Sequence, residues 1–441
     1  MFSRKDLVRL LIPLIIEQIL AVTIGMADTV MIASCGEVAV SGISLVDSIN
    51  VLLINIFSAL ATGGAVVVAQ HLGNRDQQAA CRSAKQLYLS SAFIAGLLGI
   101  IALVGNRHIL TLVFGHVETA VMDNAVIYFT LSAISYPFLA IYNAGAALFR
   151  SMGNSKVSMY TSILMNLINV AGNAITIYGL KMGTAGAGTA TLVARVTGAV
   201  IMLLLSMRQE YPVHLEEMKN WKPEFALIRT IMKIGVPNGF ENSLFQLGKI
   251  LVQSLVATFG TAAITANAVA GNMAGLVLIP GSAIGLALVT VVGQCIGAGD
   301  KAGAKRYTRN LTLLSILGVG ICSIVVIFAI PAIVSIYNLS AETAALTKEL
   351  ILSYNIICIV LWPIAFTLPN ALRAAGDAKF TMMVSVITAW TCRIGCSYLF
   401  ALVFKMGVMG VWVAMYADWV VRCICFLWRF FRGKWLEKRV I

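Results

Sequence analysis

Long apolar stretches follow one another along the whole chain, each ended by a short run of glycine, proline or charge. They fall near residues 7–33, 43–70, 86–106, 124–149, 157–180 and 186–207. A second set falls near 231–259, 263–294, 310–336, 346–372, 380–404 and 408–431. A helix needs roughly 20 apolar residues to cross a bilayer, and these stretches meet that length. The pattern predicts an all-α membrane protein with twelve transmembrane helices. The longest polar stretch lies between the two sets. It divides the chain into an N-terminal six-helix lobe over 1–207, a cytoplasmic linker over 208–229 and a C-terminal six-helix lobe over 230–441.

Charge orients these spans. Arg4, Lys5 and Arg9 precede the first span, and the loop after it has no lysine or arginine. The next has Arg75, Arg82 and Lys85, and the third only Arg107. The alternation continues through Arg150 and Lys156, the linker, then Lys301, Lys305, Arg306 and Arg309, then Arg373 and Lys379, to a basic tail. Cytoplasmic loops carry the excess of lysine and arginine, so both termini are expected in the cytoplasm. The basic start resembles that of a signal peptide. The apolar run behind it is too long and no small-residue cleavage site follows, so it reads as a retained first span.

Composition agrees with this class: 59% of residues are hydrophobic and 12% charged, against about half and a quarter in soluble domains. The net charge of +13 does not mark a nucleic-acid binder, because the basic residues sit in loops between spans. The nine cysteines lie mostly in or beside spans and form no metal-ligand set.

The two halves repeat. At an offset of 224, Pro13 and Glu17 match Pro237 and Glu241, and Gly36 matches Gly260. Gln70, Gly73 and Asp76 match Gln294, Gly297 and Asp300, and Lys181-Met182-Gly183 matches Lys405-Met406-Gly407. At 223, Arg150-x-x-Gly153-Asn154-x-Lys156 matches Arg373-x-x-Gly376-Asp377-x-Lys379. Six spans per half give both halves the same orientation, a parallel internal repeat about an axis along the membrane normal. Two such bundles are the usual physical solution for alternating access, although the duplication alone does not exclude a channel or a membrane enzyme.

Ionisable groups inside spans are expensive, so they line cavities or pair. Glu17 and Asp28 share the first span, eleven residues apart, and at about 100° per residue they stand nearly on one face. Sorted by half, Glu17, Asp28, Asp47 and Arg195 leave the first half acidic, while Glu241, Lys249, Arg393 and Asp418 balance the second. The first half is therefore the better place for ion coupling. Asp47 lies near a span end and reads as interfacial. Arg393 reads as a partner of Glu241 or Asp418. None of the histidines, 71, 108, 116 and 214, is at mid-span, so no histidine proton relay is expected. Pro137, Pro280, Pro363 and Pro369 are expected bend points. The repeated loops near 70–76, 294–300, 150–156 and 373–379 read as tight structural turns.

Over almost its whole length the chain resembles the multidrug and toxic compound extrusion (MATE) transporters. The resemblance rests on Pro13 with Asp28-Thr29-Val30-Met31, on Gln70-x-x-Gly73-x-x-Asp76 and on Arg150-x-x-Gly153-Asn154. Asn169-x-x-x-Asn173 and Gly183-x-x-Gly186-Ala187 complete it. It implies a two-lobed antiporter that expels bulky, often cationic compounds in exchange for protons or sodium ions. The family's first-span acid maps onto Asp28 and its fifth-span polar pair onto Asn169 and Asn173. The second of that pair is often Asp in members coupling through the N-terminal lobe. Asn173 removes one titratable group, which leaves the choice of ion open.

The ion-coupling residues are thus expected to be Asp28, Asn169, Asn173 and, adding a hydroxyl from the sixth span, Thr191. Amides one turn apart can hydrogen-bond a protonated Asp28 or offer carbonyl oxygens to sodium. Glu17, Glu241, Arg393 and Asp418 are candidates for a substrate cavity or second polar site. Glu17 and Glu241 either attract substrate or fix their lobes. The expected protein is an ion-coupled transporter of the plasma membrane rather than an enzyme. It has no cofactor and no metal, its partners are small organic substrates and the bilayer, and its working unit is a monomer. A flippase for a lipid-linked or amphiphilic substrate is the alternative. It would want a large basic cavity, whereas most basic residues here fall in loops. No catalytic motif or nucleotide loop supports an enzyme.

Overall fold

The computed structural model describes residues 2–115, 117–215 and 222–441, apart from the side chains of 24 and 26–29. His116 and the middle of the 208–229 linker lie outside the described residues. The first half carries α1 (Arg4–Ala33), α2 (Glu37–Gly73), α3 (Gln77–Val104), α4 (Asn106–Phe114), α5 (Thr119–Ser151), α6 (Ser155–Asn173) and α7 (Gly183–Ser206). Then come α8 (Phe225–Ala257), α9 (Thr261–Val277), α10 (Ile279–Gly297), α11 (Lys301–Ile336), α12 (Ala341–Trp362) and α13 (Leu368–Ala375). The chain ends with α14 (Ala378–Thr388), α15 (Cys396–Tyr398) and α16 (Gly407–Arg432). Wider π-helical runs extend α6 over Ala174–Gly179, join α12 to α13 over Pro363–Thr367, and flank α15 over Ala389–Gly395 and Leu399–Val403.

Nine helical runs among the described residues are long and apolar enough to cross a membrane. Large apolar side chains face outward, with Leu112 at 87% and Phe328 at 81% exposed. In water such a surface aggregates, and against hydrocarbon it costs nothing. Of the expected proline interruptions, Pro280 is borne out and Pro137 is not. Pro137 sits inside an unbroken α5, while Pro280 lies in the first turn of α10 and marks a real break from α9. A short α4 occupies the loop expected after residue 106.

Two compact units result, Phe2–Gly239 and Phe240–Ile441, with the division inside α8. In the first, α5 packs on α2, α3 and α7, and α6 packs between α1 and α7. Small residues allow this close approach, as membrane helices require: a Cβ on Gly42 would stand 2.9 Å from the Ala125 nitrogen. In the second, α10 packs on α11 and α13, and α12 on α9 and α11. Its core is aromatic, with Tyr354 edge-on to Trp412 at 5.5 Å and to Trp419 at 5.6 Å.

The repeat extends to backbone detail. Asp76 caps α3 by accepting from the Ala79 N–H at 2.9 Å, and Asp300 caps α11 by accepting from Gly303 at 2.7 Å. Such a cap contributes about 1 kcal/mol. Gly36 and Gly260 precede α2 and α9 with φ of 94° and 91°. Lys181 and Lys405 both take φ of 54°, a left-handed conformation uncommon for lysine. Arg75 and Gly299, different residues at equivalent positions, take φ of 60° and 74°.

The equivalent glycines Gly186 and Gly410 give a stability test. A Cβ on Gly410 would stand 2.7 Å from backbone atoms of Phe400 and Ala401, whereas one on Gly186 meets mainly the Thr176 side chain at 3.0 Å. Gly410→Ala is expected to lose about 1–3 kcal/mol through overpacking. Gly186→Ala should stay within about 1 kcal/mol of the parent, because the gain in helix propensity offsets the closer contact. Thermal unfolding of both variants in one detergent checks the order.

Candidate functional site

The coupling residues expected from sequence lie in the first unit. Asn169 and Asn173 stand one turn apart on α6, and Thr191 faces them from α7. The Asn169 amide donates to the Thr191 hydroxyl at 3.1 Å, and the Asn173 amide donates to the Asn169 carbonyl at 3.5 Å. Thr191 in turn donates to the Ala187 carbonyl of its own helix at 3.0 Å. Asn173 is 0% exposed. The three side chains therefore form one connected chain. Asp28 belongs to α1, which packs on α6, but its side chain lies outside the described residues.

Glu17 is engaged elsewhere. Its carboxylate meets Arg150 at 3.4 Å and accepts from the Ser158 hydroxyl at 3.0 Å. The C-terminal equivalent repeats this. Glu241 meets Arg373 at 2.6 Å, and Arg373 also donates to Asn370 at 3.1 Å. Sequence treated Arg150 and Arg373 as parts of structural turns. In fact the motifs at 150–156 and 373–379 each open with the arginine that pairs with its half's glutamate. Of the two roles left open for these acids, the geometry favours fixing the unit. Glu241 also lines a cavity of about 240 Å³ with Asn242, Arg373 and Arg422.

Asp418 and Arg393 are not partners. Asp418, 0% exposed, accepts from Arg422 at 2.8 Å, one turn along α16, and Arg422 also donates to the Ser385 carbonyl at 3.0 Å. Among the described residues, the Arg393 side chain reaches the Met415 sulfur at 3.4 Å and the Phe245 ring at 4.9 Å. Its expected pairing with Glu241 or Asp418 does not occur: among the described residues Glu241 pairs with Arg373 and Asp418 with Arg422. A cavity of about 480 Å³ opens beside it, lined by Lys249, Gln253, Asn267, Trp412 and other aromatic residues.

Sequence reasoning also missed a polar network in the first unit. Asp47, expected at the interface, accepts from Asn50 at 3.3 Å. Asn50 also donates to Ser132 at 3.3 Å and accepts from the buried Tyr136 hydroxyl at 2.9 Å. Arg195 donates to Ser135 at 2.7 Å, and Tyr128 hydrogen-bonds Asp47. Uncharged Asn50 and Tyr136 gave no signal in a search for charges within spans.

The MatE family model matches residues 13–175 and 237–399, two stretches displaced by the same 224 positions as the repeat. This chain belongs to the MatE family. Relatives match along nearly the full length. "Uncharacterized transporter YisQ" of Bacillus subtilis is 28% identical over 433 residues, covering 97% of this chain and 94% of that protein. "Probable multidrug resistance protein NorM" of Thermotoga maritima is 25% identical over 450 residues, covering 99% and 94%. The fold is that of a MATE crystal structure in a bent conformation, with a TM-score of 0.88, 19% identity and coverage of 99% and 96%. It also matches an outward-facing MATE transporter of the MOP superfamily, with a TM-score of 0.88, 20% identity and coverage of 98% and 96%. This MatE protein is a multi-pass transporter of the plasma membrane.

The two glutamate clamps differ in strength. The Arg373–Glu241 side chains are 10% and 9% exposed at 2.6 Å, against 16% and 12% at 3.4 Å for Arg150–Glu17. Removing one partner of a buried pair costs about 3–5 kcal/mol because the other charge stays behind. Glu241→Gln is expected to fall in that range and Glu17→Gln below it, read by equilibrium unfolding in detergent. The reverse order would mean that Glu17 anchors the tighter clamp.

Proposed function

We propose that this MatE protein is a secondary-active multidrug exporter that expels bulky organic compounds in exchange for inward protons or sodium ions by alternating access. Asp28, Asn169, Asn173 and Thr191 form its coupling group. The observation that carries this reading is the hydrogen-bonded chain from Asn173 through Asn169 to Thr191, set on the helix that packs against the Asp28 helix.

The chemistry follows from the donor set. The Asn173 amide donates to the Asn169 carbonyl and the Asn169 amide to the Thr191 hydroxyl, so the group is made of amides and a hydroxyl, which can both donate and accept. A protonated carboxyl donates one hydrogen bond, which an amide or hydroxyl oxygen can accept. Alternatively the same oxygens, with the ionised carboxylate, suit a hard cation such as sodium. Either ion drives export only if it binds one conformation better than the other. Twelve crossings with both termini in the cytoplasm complete the proposal, with a monomer as the working unit. Asp47 and Arg195 belong instead to the hydrogen bonds with Asn50 and Ser135, to which we assign a structural role.

The test is ion-coupled efflux in proteoliposomes, with a pH gradient and a sodium gradient imposed separately. Asp28→Asn is expected to lower gradient-driven transport by at least about tenfold, equivalent to about 1.4 kcal/mol. Thr191→Val, which removes one hydrogen-bonding group from the site, should cost less than Asp28→Asn. Full coupled transport by Asp28→Asn would remove the first unit as the coupling site. Flux that neither gradient drives would remove antiport itself.

A further inference from the structure

The second unit contains a cationic cavity, although its charges look balanced in the sequence. Among the described residues, each buried carboxylate of this unit has an arginine: Glu241 with Arg373, Asp418 with Arg422 and Asp377 with Arg429. Arg393 and Lys249 remain, and both line the larger cavity of about 480 Å³. Neither has a carboxylate within ion-pair distance among the described residues. Asp418 acts on Arg393 through space, but its hydrogen-bonded partner is Arg422.

The two cations share one aromatic neighbour. The Arg393 guanidinium stands 4.9 Å from the centre of the Phe245 ring and the Lys249 ammonium 5.3 Å from the same centre. They can be no farther apart than those two distances together. A ring face stabilises a cation only weakly. The Met415 sulfur is a poor acceptor, and the buried Arg393 Nε has no hydrogen-bond partner. A guanidinium in an apolar bundle without an anion is incomplete, since it cannot lose its charge and its planar fork suits a carboxylate.

The rest of the lining fits an aromatic body. Tyr354, Trp362, Phe366, Trp412 and Trp419 join Phe245 around the space. Trp412 donates to Asn267, and Asn267 donates to Gln253, at 2.9 Å each. This fixes one wall and leaves the Gln253 amide nitrogen as a further donor. The volume lies in the range of small-molecule sites.

We propose that this cavity binds organic anions bearing an aromatic ring, the carboxylate or sulfonate seated on Arg393 and Lys249 and the ring among Trp412, Tyr354 and Phe366. The proposal names a substrate class for the exporter and so rests on that reading, although binding itself needs no gradient. A flexible anionic lipid offers the same charge, but the rigid aromatic walls favour a planar ring.

The test is calorimetric titration of the full chain in phosphatidylcholine nanodiscs with two probes of equal size and opposite charge, 2-naphthoate and 2-naphthylmethylammonium. The naphthoate is expected to bind at least about tenfold more tightly. The double variant Lys249→Gln with Arg393→Gln should lose that preference, and Arg393→Lys should keep most of it. If the double variant fails to fold, Lys249→Gln alone should cut the preference about threefold. Equal or tighter binding of the ammonium overturns the proposal, as does a preference that neither the double variant nor Lys249→Gln changes. Nanodiscs of phosphatidylglycerol separate the two sources of charge: a tenfold loss of naphthoate affinity there would assign the cations to lipid headgroups and overturn the aromatic reading. Charge-selective binding without gradient-driven flux would remove export and leave this site. Flux without charge selectivity would do the reverse.

Discussion

In hydrocarbon a charge without a partner is the most expensive thing a helix can carry, and much of this architecture follows from that constraint. It explains why each half ties a glutamate near the middle of its first long helix to an arginine at the far end of another. Glu17 with Arg150 and Glu241 with Arg373 are the same device used twice. It also explains where function can reside. Once such pairs are formed, the interior charges left over are few, and each of them needs something that the fold does not supply.

That accounting separates the two units. In the first, Asn169, Asn173 and Thr191 build a neutral chain of amides and a hydroxyl, set against the helix that carries Asp28. In the second, arginines outnumber the acids they can satisfy. The two similar scaffolds therefore carry different electrostatics. Arg393 stands at the position equivalent to Asn169, so one substitution class, amide to guanidinium, marks the divergence.

The fold was legible because helix periodicity and bilayer thickness leave few choices for long apolar stretches. The repeat was legible because glycine, proline and capping aspartate sit where backbone geometry demands them, as at Asp76 and Asp300. The Asn169, Asn173 and Thr191 cluster was legible because helix spacing places i and i+4 on one face. The ion pairs were not. Arg150 and Arg373 read as loop residues, since a long side chain can reach well below the helix end that bears it. Arg422 was overlooked within a basic C-terminal stretch, which made the second half look balanced when it is not. Tyr136 and Asn50 were invisible to any count of charge.

The turn at Arg75 and Gly299 carries a different lesson. Both positions sit just beyond a long helix and adopt the same left-handed backbone, yet one has the residue best suited to it and the other a bulky side chain. An arginine pays roughly 1–2 kcal/mol for that conformation, so the path of the chain there is fixed by the helices it joins rather than by the residue that occupies it. Shape has outlasted sequence at this point. Ancestry in a duplicated bundle can accordingly be traced through its handedness at the corners, even where no pair of side chains still matches.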